Sequence, residues 1–186
     1  YDIELKMDSL GGFKEIGGLH YRTDYDTKNH GIRVSYSGKK IYPHVLELSF
    51  GVDRNVWALM DIFYKKEKKR SLFLFNRNIA PVEVAVFPLV NKDKIPEKAK
   101  EVYDMIKNDF NAFYDSKGSI GKMYRRMDEI GCTAMLTIDH DSLKNKDVTL
   151  RDRDSMKQIR IKIKDLKEVL EKFLEGVELK KLGKII

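Results

Sequence analysis

The chain has 186 residues, of which 35% are charged and 42% hydrophobic, and a formal net charge of +7. A single cysteine, Cys132, excludes an internal disulfide; no apolar run nears the roughly 18 residues of a membrane span and no signal-peptide pattern opens the chain, so it reads as cytoplasmic. The charge is spread, with 14 Lys and Arg against 10 Asp and Glu in residues 1–78 and 22 against 19 in residues 79–186; bulk charge alone therefore argues weakly for nucleic acid.

The β-prone stretches Gly11 to Leu19, Val34 to Tyr36 and Ile41 to Phe50 predict strands, and without intervening helices they predict an antiparallel sheet. They are too few to close a domain. Val52, Val56, Leu59, Met60 and Phe63 then recur at helical spacing, predicting a helix from about Asp53. The run Lys65 to Arg70 reads as a solvated helix end or linker, or else as a contact to a phosphate backbone. A domain boundary is expected between Arg70 and Pro81.

Beyond it the pattern changes. Val82 to Pro88 is a continuous apolar run, and Ala99, Val102, Tyr103, Ile106, Phe110 and Phe113 mark a long amphipathic helix. A strand is expected at Ala112 to Asp115, then a helix with Ile120, Met123, Tyr124, Met127 and Ile130 on one face. Strands follow at Ala134 to Ile138, Val148 to Arg151 and around Ile159 to Ile163, and a helix through Leu166 to Leu174 ends the pattern. This alternation predicts an α/β sheet with helices packed on it. Cys132 opens an apolar strand and reads as core. The four histidines are scattered and, with one cysteine, make no zinc spacing.

The stretch Pro43 to Arg54 concentrates the chemistry. Glu47 and Ser49 lie two apart, so on a strand they share one face while Leu46, Leu48 and Phe50 share the other. Gly51 permits a turn or a close approach, and Arg54, in the first helical turn, offers a planar guanidinium to phosphate oxygens. Taken alone, the same residues suit a buried strand followed by a Ser-capped helix.

The string Glu47-Leu-Ser-Phe-Gly-Val-Asp-Arg54 resembles motif 3 of class II aminoacyl-tRNA synthetases in its glycyl form, usually Glu-Pro-Ser-x-Gly-x-x-Arg; Leu48 stands where proline is usual. Upstream, Gly12-Phe-Lys-Glu-Ile-Gly-Gly with Arg22, Asp24, Asp26 and His30 is similar to a second segment of that family, with Phe13 in place of tryptophan. Downstream, Ala80 to Val90, Ser119 to Gly131 and Val148 to Asp154 resemble the anticodon-binding domain shared by glycyl, histidyl, prolyl and threonyl synthetases.

The resemblance implies an α+β fold followed by an α/β fold. Residues 1–78 would be a remnant of the class II catalytic sheet, with motif 3 at 43–63. Residues 79–186 would be an anticodon-binding domain, a mixed sheet flanked by helices. It further implies glycine, ATP, Mg²⁺ and tRNA(Gly) as ligands. Glu47 and Ser49 would hold glycine; Glu15, Ile16, Gly51 and Arg54 would hold ATP, with Glu15 also reaching Mg²⁺. Arg22, Asp24 and Asp26 match the family pattern but equally suit a salt-linked strand end. Arg151, Asp152 and Arg153, with Lys122, Arg125 and Arg126, are the anticodon candidates, or else Arg151 and Asp154 belong to internal ion pairs.

Motifs 1 and 2 are not recognisable, and the chain opens at Tyr1. A C-terminal piece, inactive by itself, of a homodimer joined through its motif 1 region is the expectation. A non-catalytic, synthetase-like protein that binds nucleic acid, or a prolyl, threonyl or histidyl synthetase, are the alternatives.

Overall fold

Apolar and polar residues alternate through the first strands, and the computed structural model, which describes residues 1–186, pairs them into an antiparallel sheet. Its elements are β1 (Asp2–Met7), β2 (Gly12–Thr23), a short helix α1 (Tyr25–Asn29), the hairpin β3 (Val34–Tyr36) and β4 (Lys39–Ile41), β5 (Val45–Phe50) and α2 (Val52–Phe63). The sheet order is β1-β2-β5. The expected strand from Ile41 to Phe50 is broken at Tyr42–His44 into β4 and β5, which pair in different sheets. Pro43 lies in that break, where a residue without an N–H interrupts a ladder. β1 was not expected.

α2 differs from its expected packing. Its inward face is Asn55, Ala58 and Asp61, while Val52, Val56, Leu59 and Met60 are exposed. Polar bonds hold this face: Asp61 accepts the N–H groups of Asp8 and Ser9 at 3.1 and 3.3 Å, and Trp57 Nε1 donates to Ser9 Oγ at 2.9 Å. On β5 too, Leu46, Leu48 and Phe50 are 70%, 63% and 56% exposed. Much of the apolar surface of this unit is thus exposed.

The compact units are Tyr1–Ile62 and Phe63–Ile186, so the division precedes the expected Arg70–Pro81 stretch. The reason is a hairpin. The basic run folds as β6 (Tyr64–Lys66) and β7 (Ser71–Phe73), not as a helix end, and β7 packs on α4 (Ile120–Ile130). Before α4 come β8 (Val84–Pro88), α3 (Ile95–Ile106) and β9 (Ala112–Tyr114); after it come β10 (Ala134–Ile138), α5 (His140–Asn145), β11 (Asp147–Asp152), β12 (Gln158–Lys162), α6 (Leu166–Leu174) and α7 (Leu179–Leu182).

These strands form a mixed five-stranded sheet in the order β12-β11-β10-β8-β9, with β8 parallel to β9 and β10 and the other pairs antiparallel. The expected mixed sheet flanked by helices is present. One core cluster joins Val84, Val86, Leu136 and Leu150 to α3 and α6; the other joins Ala85, Phe87 and Met135 to Met123 and Met127 of α4. Successive strand residues point to opposite faces, so helices cover both. α3 ends at Ile106, short of the expected Phe113. Asn111 instead fixes the start of β9, its amide donating to Pro81 O at 2.5 Å and its N–H to Glu83 at 2.7 Å. α5 was not expected either; Asp139 and Ser142 close a capping box at its start.

One carboxylate ties hairpin, helix and sheet together. Asp128 of α4 is fully buried and accepts from Arg151 of β11 at 3.0 and 3.3 Å; it lies 3.2 Å from both Arg70 and Arg125. Arg70, itself 2% exposed in its side chain, also pairs with Glu67 at 2.8 Å and donates to the Arg153 carbonyl at 2.7 Å. At the end of α4, Gly131 adopts φ 85°, and a Cβ there would meet Phe75 at 2.6 Å and the Phe73 carbonyl at 3.1 Å, so only glycine lets the hairpin strand approach.

Removing one partner of a buried ion pair leaves uncompensated charge inside. Asp128→Ala is expected to lower unfolding free energy by about 3–5 kcal/mol, read by urea denaturation. Arg125→Ala, at an exposed partner, should cost no more than about 1 kcal/mol; equal small losses in both would remove Asp128 from its central place.

Candidate functional site

Strand β2 carries an irregularity that shapes the first unit's cavity. Ile3 pairs with Gly17 and Glu4 with Glu15, so Ile16 has no partner on β1 and the ladder bulges there. The first turns of α2 dock on this bulge. Arg54 Nη1 donates to Glu15 O at 2.7 Å, and the Asn55 amide donates to Ile16 O at 2.6 Å and Gly51 O at 3.0 Å. Together they border a cavity of about 650 Å³ lined by Glu15, Ile16, Gly51, Arg54, Leu10 and Trp57, among others. That volume lies in the range of small-ligand sites. All four residues expected around a nucleotide meet here. Gly51 is not required by the protein's own packing: an added Cβ would meet only Arg54 Cβ, at 3.8 Å.

The expected glycine-binding pair lies on β5. Glu47 and Ser49 alternate with the exposed Leu46, Leu48 and Phe50, as the spacing requires, and oppose His20 and Gly18 of β2. Glu47 sits 3.2 Å from Arg22, which also binds Asp26 at 2.5 and 2.8 Å. The Arg22 hydrogen bond holds the Asp26 carboxyl below its ordinary value. Asp26 therefore has a structural partner and Glu47 a shared one. Glu15 comes together with Asp2 and His20, their ligand atoms within 4.8 Å of one another. Two carboxylates suit a hard cation such as Mg²⁺, whereas the imidazole suits a softer one.

In the second unit the expected RNA-facing residues separate into two groups. Arg151, Asp152 and Arg153 are buried and their polar groups are engaged. Arg151 binds Asp128 and lies 4.6 Å from the Tyr124 ring; Arg153 donates to Asp154 at 2.7 Å and to the carbonyls of Phe75 and Gly131 at 2.9 Å. Asp152 accepts the N–H groups of Asp154 and Ser155, closing the turn after β11. All three thus have partners within the protein itself. Lys122, Arg125 and Arg126, by contrast, border an open cleft of about 530 Å³ with Ser119 and Glu129. Arg126 is tied to Asp115 at 2.9 Å and Arg125 to Asp128, while Lys122 has no carboxylate within ion-pair reach.

Cys132 is fully buried, and burial pushes its thiol up to about 12, so it is core and not a nucleophile. No helix is long and apolar enough to cross a membrane. Asn55 and Trp57 were missed by sequence reasoning. The signal available for Asn55 was its recurrence with Ala58 and Asp61 at i, i+3 and i+6, on the helix face that docks; Trp57 lies off that face and carried none.

Comparison with known proteins bears on the same residues. Residues 83–173 match the family model described as anticodon binding domain. Most of the chain is similar to part of glycine–tRNA ligases: it is 42% identical over 180 residues to that of Borrelia hermsii, covering 89% of this chain and 40% of the relative, and 43% identical over 183 residues to that of Clostridium acetobutylicum, covering 91% and 39%. The glycine–tRNA ligase of the archaeon Aeropyrum pernix is 43% identical over 150 residues, 79% of this chain and 26% of the relative. The chain thus spans about 40% of the length of the first of these relatives. The match to the anticodon binding domain takes in β8 to α6, the five-stranded sheet and its covering helices.

Within that domain Asp115 anchors the cleft through Arg126. Burial alone would raise the Asp115 carboxyl, but the Lys117 N–H, at 2.9 Å, and the Arg126 guanidinium outweigh it and hold the group below its ordinary value. A depressed carboxyl contributes stability above its unfolded value, and the contribution fades as pH falls through the folded one. Asp115→Asn is therefore expected to cost about 1.5 kcal/mol at pH 7, as for a charged hydrogen bond, and progressively less below about pH 4. Urea melts at both pH values test it.

Proposed function

We propose that these residues are the C-terminal portion of a glycine–tRNA ligase, in which the first unit contributes part of the glycine and ATP site and residues 83–173 bind the anticodon region of tRNA(Gly). The observation that carries the reading is the meeting of Glu15, Ile16, Gly51 and Arg54 at one cavity beside the strand bearing Glu47 and Ser49. The three-stranded sheet is then a remnant of the class II catalytic sheet, completed by residues of the longer polypeptide, and the ligase acts in the cytoplasm as a homodimer.

Chemically, the reading assigns little covalent work to the protein. The glycine carboxylate attacks the α-phosphorus of ATP, pyrophosphate departs, and the site positions the reactants and neutralises charge. Glu47 answers the glycine ammonium, with Ser49 beside it as a hydrogen-bonding partner. Arg54 places a planar cation on the terminal phosphate, Gly51 leaves the backbone clear beneath the nucleotide, and Glu15 with Asp2 offers oxygen donors to Mg²⁺. In the second unit Lys122, Arg125 and Arg126 face the RNA, where cations contact the backbone or stack on unpaired bases.

Glycine-dependent ATP–pyrophosphate exchange tests this in a polypeptide joining these residues to the upstream part present in the relatives. Arg54→Ala should lower exchange by about 10²–10³-fold, as for a lost charge-stabilising donor. Gly51→Ala should lower it with the melting temperature unchanged, because its Cβ makes only ordinary contact within the protein. Exchange driven by proline or threonine but not glycine would overturn the specificity; tRNA binding without any exchange would favour a non-catalytic relative.

A further inference from the structure

The second unit holds another cavity that the reading above does not use. It measures about 550 Å³ and is lined by Lys98 and Met105 of α3, Asn145 and Lys146 at the end of α5, and the turn from Lys162 through Ile163 and Lys164 to Lys167 between β12 and α6. Five lysines surround an apolar floor of Met105 and Ile163, both packed against the core. Three of them are neutralised locally: Lys98 by Glu101 at 2.7 Å, Lys162 by Asp147 at 3.4 Å, and Lys167 by Asp109. Lys146 and Lys164 have no carboxylate within ion-pair reach, so the rim carries two uncompensated ammonium groups.

The backbone presents Lys146 deliberately. It caps α5 at φ 52°, a left-handed conformation that glycine or asparagine adopts more cheaply, and its carbonyl accepts the Ile163 N–H at 3.0 Å, which fixes the two rim segments together. The topology adds location. α5 follows β10 and α4 follows β9, and both strands run parallel to β8, so the Asn145–Lys146 rim of this cavity and the start of the α4 cleft lie at the same, carboxyl, end of the parallel strands. Crevices at that end of an α/β sheet are where such folds take ligands.

We propose that this cavity is a second RNA-contact region, in which Lys146 and Lys164 hold phosphodiester groups while ribose and base edges rest on Met105 and Ile163. Concave apolar floor with cations at the rim suits a strand that alternates charged phosphate with less polar sugar, and not a flat membrane. The proposal rests on the reading that this unit binds tRNA.

The test uses the 186-residue chain and a tRNA(Gly) transcript, with binding measured over a series of salt concentrations. Each phosphate contact contributes about 0.7–0.9 to the slope of log affinity against log salt. Lys146→Gln with Lys164→Gln should therefore weaken binding several-fold at low salt and flatten the slope by about 1.5, with an unchanged melting temperature. A slope and affinity equal to the wild type would overturn the proposal. So would binding of free AMP or inorganic phosphate that the double variant abolishes while transcript binding is unaltered, since the cavity would then serve a free organic phosphate. A wild-type chain that binds no transcript would sink the tRNA reading together with this one, whereas a wild type that binds and a variant that matches it would sink this one alone.

Discussion

The buried carboxylate of Asp128 is the constraint on which the second unit depends. A charge removed from water is costly unless its partners are placed well, and here three arginines from three elements converge on it: Arg70 from the hairpin, Arg125 from the same helix and Arg151 from the sheet. Because Arg70 also bonds the carbonyl of Arg153, and Arg153 bonds those of Phe75 and Gly131, the ion cluster continues as a backbone network around the end of α4. The hairpin consequently belongs to the second unit, although its sequence looks like a charged connector. Gly131 completes the joint by removing the side chain that would keep Phe73 and Phe75 away.

That network also decides which cations are left for a polyanion. Arg151 and Arg153 have the residue type expected of RNA readers, yet their guanidinium groups are spent on Asp128, Asp154 and main-chain carbonyls. Arg126 is divided between Asp115 and the Lys117 carbonyl. What remains uncompensated near the clefts is lysine: Lys122 on α4, and Lys146 and Lys164 across the sheet end. Ammonium groups on flexible stems contact phosphate as point charges and carry little base specificity. On the proposed reading, affinity would come from these lysines, and discrimination from the planar Arg125 and the shape of the cleft.

Much of the second unit was legible because burial there follows periodicity. Val84 to Pro88 is apolar throughout and Ala134 to Ile138 is apolar but for Thr137, and both are central, buried strands; Met123 and Met127 face the core as helical spacing requires. Partner choice was not legible. Nothing in the run Lys65 to Arg70 distinguishes Arg70, which is buried, from its exposed lysine neighbours, since its fate depends on an aspartate far along the chain. The end of α3 was misjudged for a related reason: Phe110 and Phe113 keep helical spacing, but Asn111 is held by Pro81 and Glu83, and that tertiary bond overrides the pattern.

In the first unit the failure is more instructive. The stripe Val52, Val56, Leu59 and Met60 reads as a core-facing helix, yet α2 is held by Asn55, Asp61, Arg54 and Trp57, all through polar atoms, and the stripe stands exposed, as do Leu46, Leu48 and Phe50 on β5. Polar docking of this kind fixes direction more than it adds stability, because each bond exchanges water for protein. It suits a site. Holding α2 by the carbonyls of Glu15 and Ile16, at a bulge where Ile16 has no partner on β1, sets Arg54 and Gly51 beside Glu15. The motif around Glu47 was thus readable because its chemistry is local to one strand and one helical turn; the geometry that joins it to Glu15 was not, because it depends on a single unpaired residue, Ile16, in a strand thirty-odd positions earlier.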